Sequence, residues 1–256
     1  MRLVIMPDPT SATQLAASAV MSLLSSRDRP VLGLATGRTM EGVYRDLCKS
    51  HDRDEIDFSK TTTFNLDEYV GLSSSDPESY RHYMQDHLFD HVNIAPDATH
   101  LPDGTAENLD AECASYEAAI ARSGGIDLQL LGIGETGHIG FNEPPSAFDT
   151  RTRCVTLTPT TRQQNAAMFG GDPAKVPEHA LTMGVGTILE ARQLLLLALG
   201  DGKAAIVARA LEGEVGPEIS ASAIRLHARC TVILDEASAS LLSPETLESA
   251  KIHRGS

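Results

Sequence analysis

The feature that most constrains the fold is an alternation of short apolar runs with longer amphipathic segments. Seven runs rich in aliphatic and β-branched residues predict strands, at residues 2–6, 30–35, 61–66, 126–133, 153–157, 193–199 and 229–235. Seven further segments predict helices, several introduced by Ser, Thr or Asp, at residues 10–26, 39–50, 78–89, 105–121, 159–169, 202–213 and 235–241. This rhythm predicts an α/β fold, a Rossmann-like and mostly parallel sheet with helices on both faces.

The length and composition predict one domain. A chain of 256 residues with 41% hydrophobic content can bury a full core. We find no internal repeat, low-complexity tract or linker. We therefore expect a single domain over residues 1–250, followed by a tail at residues 251–256.

Charge and cysteine usage restrict the partners and the compartment. A formal net charge of −14 argues against general affinity for nucleic acid or acidic membranes, because polyanions would be repelled. No apolar stretch reaches the ~20 residues of a membrane helix, and the amino terminus lacks the apolar core of a signal peptide. The four cysteines are far apart without a C-x-x-C pair, which favours reduced thiols over disulfides or zinc. We expect a cytoplasmic protein.

Two loops that follow predicted strands are suited to an anion. Residues 36–39, TGRT, combine a glycine with two threonines where a helix begins, so their N–H groups and hydroxyls can point at a negative charge. The alternative is an ordinary helix cap by Thr39. Lys203 also stands where a helix begins, a place that disfavours a cation unless an anion binds nearby. The alternative there is a solvated surface lysine.

Two adjacent acids follow the strand at residues 61–66. Burial of Asp67 and Glu68 at the end of a strand would raise the cost of ionisation and can make a carboxylate a proton acceptor. The alternative is that Asp67 caps a turn and Glu68 faces water.

The stretch GETGHIGFNEP, residues 134–144, follows the strand at residues 126–133. Its glycines, among them Gly137, permit positive φ and close approach of a ligand. His138 can carry a proton near neutral pH, and we expect Glu143 to orient its imidazole. A lone loop histidine is more often structural, but here it shares one loop with flexible backbone and a carboxylate.

Taken together, these motifs resemble the glucosamine-6-phosphate deaminase family, also called glucosamine/galactosamine-6-phosphate isomerases, over nearly the whole chain. The stretches that carry the resemblance are LGLATGRT (32–39), TFNLDEYVGL (63–72), DPESYRHYM (76–84), GETGHIGFNEP (134–144), FDTRTR (148–153), LTMGVGTIL (181–189) and LGDGKA (199–204). The resemblance implies an enzyme that converts an amino-sugar phosphate to fructose 6-phosphate and ammonia without a metal or organic cofactor.

The resemblance also implies roles for the loop residues. His138, oriented by Glu143, would move the proton that opens the pyranose ring, and Asp67 would carry a proton from C2 to C1. The phosphate would bind Lys203 and the loop of Thr36, Gly37, Arg38 and Thr39, with Gly137 lining the substrate site.

The chain departs from the family pattern at three positions. Thr136 stands where relatives usually have Asp or Asn, so it offers a hydrogen bond but no charge to the imidazole. Ala167 stands where relatives usually place an arginine on the phosphate, and Arg38 replaces a small residue of the phosphate loop. We interpret Arg38 as a substitute for that arginine. The same changes leave open a related amino sugar with another C6 anion or the C4 epimer.

Two other function classes share parts of this sequence pattern. A 6-phosphogluconolactonase-like hydrolase would share the fold, but FNEP and NLDEYVGL favour a deaminase. A sugar-phosphate sensor is disfavoured because Asp67, His138 and Glu143 occur together. The first predicted strand also begins at residue 2, so we expect no DNA-binding module before it.

Allosteric relatives use a basic cluster near Arg153. Val155 leaves only part of this cluster, so we expect a non-allosteric enzyme. A homo-oligomer is possible.

Overall fold

A computed structural model describes residues 1–252. The strands are β1 (Arg2–Met6), β2 (Val31–Leu34), β3 (Thr62–Asn65), β4 (Asp67–Tyr69), β5 (Thr99–His100), β6 (Leu128–Leu131), β7 (Arg153–Thr156), β8 (His179–Thr182), β9 (Leu194–Ala198), β10 (Cys230–Asp235) and β11 (Lys251–Ile252). The α-helices are α1 (Pro9–Ser26), α2 (Arg38–Asp52), α3 (Tyr80–His87), α4 (Leu109–Arg122), α5 (Pro159–Asn165), α6 (Val185–Leu189), α7 (Ala204–Glu212) and α8 (Pro244–Ser249).

The main sheet has eight strands in the order β11-β1-β10-β9-β6-β2-β3-β5. Every neighbouring pair in it is parallel. All residues of β2, β6 and β9 are buried, so these strands are covered on both faces, as parallel sheets require. The predicted fold class is confirmed.

The order of the central strands brings the chemically interesting loops together. Strands β9, β6, β2 and β3 are consecutive neighbours and run in the same direction. The loops that follow them therefore leave the sheet at one edge, the carboxyl-terminal edge, where ligands bind in open α/β sheets.

A second sheet lies beyond this edge. It contains three antiparallel strands in the order β4-β8-β7, with Asp67 of β4 opposite Thr182 of β8. The sequence predicts β7 but gives no signal for β4 or β8. A smaller apolar cluster accompanies this sheet, and its aromatic members are Tyr69, Tyr80, Phe141 and Phe169.

Two sequence predictions near the carboxyl terminus are wrong. Residues 236–241 form turns instead of a helix. Asp235 accepts the Ser238 N–H at 2.8 Å, as an N-cap does, but the Ser240 and Leu242 N–H groups bond to carbonyls three residues back, so no α-helical run follows. The predicted tail begins too early, since β11 pairs with Val4 and Ile5 of β1. Its last four residues, 253–256, lie outside the described residues.

The four cysteines, Cys48, Cys113, Cys154 and Cys230, are unpaired. Within residues 1–252, no helix combines the length and the apolar character needed to cross a membrane.

Candidate active site

The loop between β2 and α2 presents a row of free backbone donors. Gly37 is the N-cap residue of α2 and has φ of 104°, a conformation that favours glycine. The N–H groups of residues 36–39 have no hydrogen-bond acceptor among residues 1–252. Four successive unpaired donors at the positive end of a 15-residue helix form a site that suits an anion.

Two cations lie beside these donors. Lys203 ends a 3₁₀ turn, Asp201–Lys203, and is the N-cap residue of α7, while Arg38 is the first residue of α2. Burial lowers the pKa of Lys203, the charge of Glu135 raises it, and the charge of Arg38 lowers it. The Lys203, Glu135 and Arg38 side chains are therefore close enough to one another at the sheet edge to affect the Lys203 pKa.

Asp67 is buried without a protein partner for its carboxylate. Its exposed fraction is 6%, and among residues 1–252 its side chain makes no hydrogen bond. Burial, with the neighbouring Glu68 charge as the second cause, raises the Asp67 pKa from 3.8 to about 8. A carboxylate with such a pKa and no internal donor can take up a proton near neutral pH.

Glu68 has a different environment although it is the next residue. Its carboxylate accepts the backbone N–H groups of Tyr69, Tyr80 and Arg81, each at 2.9 Å. Burial raises its pKa, and these three hydrogen bonds oppose the rise. The alternative in which Glu68 faces water is wrong, because Glu68 is 3% exposed and fastens α3 to β4.

Glycines make room for the imidazole of His138. A side chain at Gly134 would place its Cβ 2.2 Å from the His138 ring, so only glycine fits beneath the imidazole. Gly137 has φ of 84° and packs against Ile206 and Ile219, where a Cβ would lie 2.7 Å from the Ile219 Cγ2. This loop therefore needs glycine at position 134 because the imidazole packs against it, and at position 137 because Ile206 and Ile219 pack against its backbone.

Thr136, not Glu143, holds the imidazole. The Thr136 Oγ1 lies 2.7 Å from the His138 Nδ1, so this hydrogen bond sets the ring orientation and leaves Nε2 for chemistry. His138 is 9% exposed, and burial lowers its pKa, which favours the neutral ring; the Glu143 charge acts in the opposite direction.

The prediction that Glu143 orients His138 is therefore corrected. The Glu143 carboxylate accepts the Thr158 N–H at 2.9 Å, the Thr158 hydroxyl at 2.7 Å and the Thr161 hydroxyl. It thereby fixes the first turn of α5, of which Thr158 is the N-cap residue. The Gln164 amide of α5 donates to the Glu135 carboxylate at 2.9 Å, so both ends of α5 are tied to the loop that carries His138.

Asn142 is a buried residue of this loop that sequence reasoning missed. Its amide donates to the carbonyls of Ile139 and Met183 at 2.8 and 2.9 Å, and its oxygen accepts from Arg153 at 2.8 Å. The one sequence signal that could have identified Asn142 was its position inside the GFNEP stretch. The Arg153 guanidinium is thus engaged inside the loop, and Val155 packs against the smaller apolar cluster.

The remaining predicted residues lie in or near the same region. Asp67 faces the His138 loop, since a Cβ at Gly140 would lie 3.5 Å from the Asp67 Oδ2. Ala167 lies exposed on the 3₁₀ turn that follows α5, Ala166–Phe169. Within residues 1–252, no group of three or more His, Cys, Asp or Glu side chains is arranged to hold a metal ion.

Comparison with known proteins gives a consistent result. The family model described as glucosamine-6-phosphate isomerases/6-phosphogluconolactonase matches residues 9–233. Glucosamine-6-phosphate deaminase 2 of Bacillus subtilis (strain 168) is 49% identical over 223 residues, which are 87% of this chain and 90% of the relative. The glucosamine-6-phosphate deaminase of Mycolicibacterium smegmatis is 46% identical over 242 residues, covering 94% of this chain and 93% of the relative.

Solved structures of glucosamine-6-phosphate deaminase and of 6-phosphogluconolactonase are also similar to this chain. A structure described as a monomeric glucosamine-6-phosphate deaminase superposes with a TM-score of 0.92 at 44% identity, covering 94% of this chain and all of the other. The 6-phosphogluconolactonase from Trypanosoma cruzi superposes with a TM-score of 0.74 at 19% identity, covering 94% of this chain and 97% of the other, a likeness of fold alone.

Proposed function

Because the chain belongs to the family of glucosamine-6-phosphate isomerases and 6-phosphogluconolactonases, we propose that it is a glucosamine-6-phosphate deaminase. The enzyme converts glucosamine 6-phosphate to fructose 6-phosphate and ammonia. The observation that carries this function is the position of the buried Asp67, facing the His138 loop at the sheet edge that also presents the N–H groups of residues 36–39. Neither the Asp67 carboxylate nor these N–H groups have a hydrogen-bond partner within residues 1–252.

The phosphate binds at the amino-terminal end of α2. The N–H groups of residues 36–39 donate to its oxygens, and Lys203 supplies a charge. Binding at the phosphate fixes the distance of C1 and C2 from the two proton-carrying groups, because the sugar chain is short and anchored at one end.

His138 opens the ring. Its Nε2 takes the proton of the C1 hydroxyl and delivers it to the ring oxygen, while the Thr136 hydroxyl on Nδ1 holds the ring plane. A neutral imidazole is needed to accept this proton, and the burial that lowers the His138 pKa maintains it.

Asp67 performs the isomerisation. Its carboxylate removes the C2 proton of the open-chain aldehyde, and the C1 oxygen takes a proton from solvent water, which gives an enolamine. Asp67 then returns the proton to C1, which leaves an iminium at C2. Water adds to the iminium carbon and ammonia leaves, giving the ketone. No residue changes its oxidation state in these steps.

Arg38 is proposed as the side chain that completes the phosphate site in place of an arginine at position 167. The Arg38 charge lowers the pKa of Lys203, so the two cations lie near each other, which supports this proposal; the Ala167 methyl group offers no donor. Arg38→Ala should raise the KM for glucosamine 6-phosphate by about tenfold or more, the usual effect of losing a charged hydrogen bond. An unchanged KM would show that Arg38 does not serve the phosphate.

The proposed activity is tested by ammonia release. Glucosamine 6-phosphate, galactosamine 6-phosphate and a 6-sulfonated amino sugar are compared, with Asp67→Asn as the inactive control. Release from the first substrate alone supports the proposal. Preference for the second or third would assign the altered substrate instead, and no ammonia from any of the three would refute a deaminase.

Three further properties are proposals. The continuous main sheet supports the single domain predicted over residues 1–250, extended by residues 251 and 252 of β11. The four unpaired cysteines support a cytoplasmic location. The homo-oligomer that the sequence left possible is a prediction for sedimentation analysis; the relative with the TM-score of 0.92 is described as monomeric.

A further inference from the structure

Two phenols hold the carbonyl groups of the anion loop. The Tyr44 hydroxyl, from α2, donates to the carbonyl of Ala35. The Tyr83 hydroxyl, from α3, donates to the carbonyl of Gly37 at 2.9 Å, and the Met40 N–H reaches the same oxygen at 2.9 Å. The carbonyls on both sides of Thr36–Gly37 are therefore fixed from outside the loop.

Fixing a carbonyl also aims the amide that shares its peptide plane. In a trans peptide, the C=O and the next N–H point in opposite directions. The Ala35 and Gly37 carbonyls point toward the tyrosine hydroxyls that bond them. The N–H groups of Thr36 and Arg38 therefore point away from these tyrosines. These are two of the four N–H groups without an acceptor in residues 1–252.

The loop needs this external support because of its glycine. Gly37 has φ of 104°, and glycine is free to rotate through conformations that other residues resist. Within the local backbone, the Gly37 carbonyl, and with it the Gly37–Arg38 peptide, is held by the Met40 N–H. The hydroxyl of Tyr83 adds a second hydrogen bond to the same carbonyl, from a helix outside the loop.

Tyr83 is itself tied to the strand that carries Asp67. Helix α3 begins after Ser79, whose side chain accepts the His82 N–H at 3.0 Å. The Glu68 carboxylate accepts the N–H groups of Tyr80 and Arg81 in the first turn of the same helix. One rigid element thus spans the distance from β4 to the carbonyl of Gly37.

We propose that Tyr83 is a positioning residue for phosphate binding, which acts by holding the Gly37 carbonyl so that the Arg38 N–H faces the phosphate. The inference rests on the proposed function, because it assigns the phosphate of the substrate to this loop. In this proposal Tyr83 does not contact the substrate, because its hydroxyl donates to the Gly37 carbonyl.

The test is Tyr83→Phe, which removes the hydroxyl and keeps the ring that packs 4.3 Å, between centroids, from the His87 ring. We expect the KM for glucosamine 6-phosphate and the inhibition constant of inorganic phosphate both to rise by about two- to tenfold, the range of one hydrogen bond. The kcat should stay within about twofold, because Asp67 and His138 are unaffected.

His82→Ala is the matched control. His82 lies next to Tyr83 on α3, and its Nε2 lies 3.2 Å from the carboxylate of the exposed Asp86. Among residues 1–252, its side chain makes no hydrogen bond to the anion loop. Its KM and phosphate inhibition should equal those of the wild type. A fall in melting temperature in Tyr83→Phe without any change in KM or phosphate inhibition would assign Tyr83 a structural role and overturn the proposal.

Calorimetric titration with inorganic phosphate separates this proposal from the proposed activity. If the wild type binds phosphate but releases no ammonia, the deaminase assignment fails, and weaker phosphate binding by Tyr83→Phe still supports the role of Tyr83. Equal binding by both proteins, or no binding by the wild type, overturns it.

Discussion

Asp67→Asn should inactivate the enzyme and stabilise its fold. The Asp67 carboxyl is 6% exposed and has no protein hydrogen-bond donor in residues 1–252, so its ionised form is poorly solvated. Asparagine has nearly the same shape and carries no charge. The substitution removes the proton acceptor and, with it, the cost of keeping a buried carboxylate charged.

The size of the effect follows from the pKa. The folded protein raises the pKa of Asp67 from 3.8 to about 8, so it binds more protons than the unfolded chain between these two values. The free energy of unfolding of the wild type therefore falls as pH rises through this window, by about 1.4 kcal/mol per pH unit. The full cost above pH 8 is on the order of 5 kcal/mol, and it vanishes near pH 4.

Urea unfolding of both proteins at several pH values between 4 and 9 measures this difference. Asp67→Asn should be more stable by several kcal/mol at pH 8 to 9, and its advantage should shrink as pH falls. Glu68→Gln is the matched contrast: Glu68 accepts three N–H groups, and an amide cannot replace all of them, so this variant should be less stable. Equal stability of wild type and Asp67→Asn at pH 9, or an advantage that grows as pH falls, would refute the reasoning.

Three further outcomes are expected. The kcat/KM of the wild type should rise about tenfold per pH unit up to about pH 8 in a pH–rate profile, because only ionised Asp67 accepts the C2 proton. Thr136→Val should lower kcat by about tenfold in steady-state assays, since it removes the hydrogen bond to the imidazole, and Thr136→Ser should restore most of it. Gly140→Ala should lose about 1 to 3 kcal/mol in urea unfolding, because φ is 55° and the new Cβ would lie 2.9 Å from the Thr182 Oγ1.

The parallel strands were predictable because each one is a short apolar run that can be recognised without knowing its partners. Strands β2, β3, β6 and β9 are apolar or β-branched runs bounded by turn residues, and each was predicted to within two residues at either end. Their loops followed directly, because the carboxyl ends of parallel strands share an edge.

The second sheet was not predictable from local pattern. Strand β4 begins with two acids, residues that are rare in strands, and it exists because it pairs with β8 more than a hundred residues later. The turn at residues 235–241 was misjudged for the opposite reason. Its composition and the Asp235 cap permit a helix, but the Ser240 and Leu242 N–H groups bond to carbonyls three residues back, and the chain continues as turns.

The residue types of the candidate site were easier to predict than their pairing. Spacing along the chain allowed Glu143 to reach His138, because five residues separate them in a tight loop. Thr158 and Thr161 are farther along the chain, and only the fold brings them to the Glu143 carboxylate. Thr136, two residues from His138, was close enough to compete and forms the bond instead.

The N–H groups of residues 36–39, which have no acceptor in the described part of the chain, bear on how the anion site can change by mutation. A substitution can delete a guanidinium or an ammonium, but every amino acid except proline brings its own amide donor. The cradle for the anion is therefore inherited through the shape of the backbone, while the cations around it are open to exchange. Successive substitutions can therefore move a positive charge from one side of the ligand to another, and so change which anionic group is bound. The backbone donors continue to bind the anion at every intermediate stage.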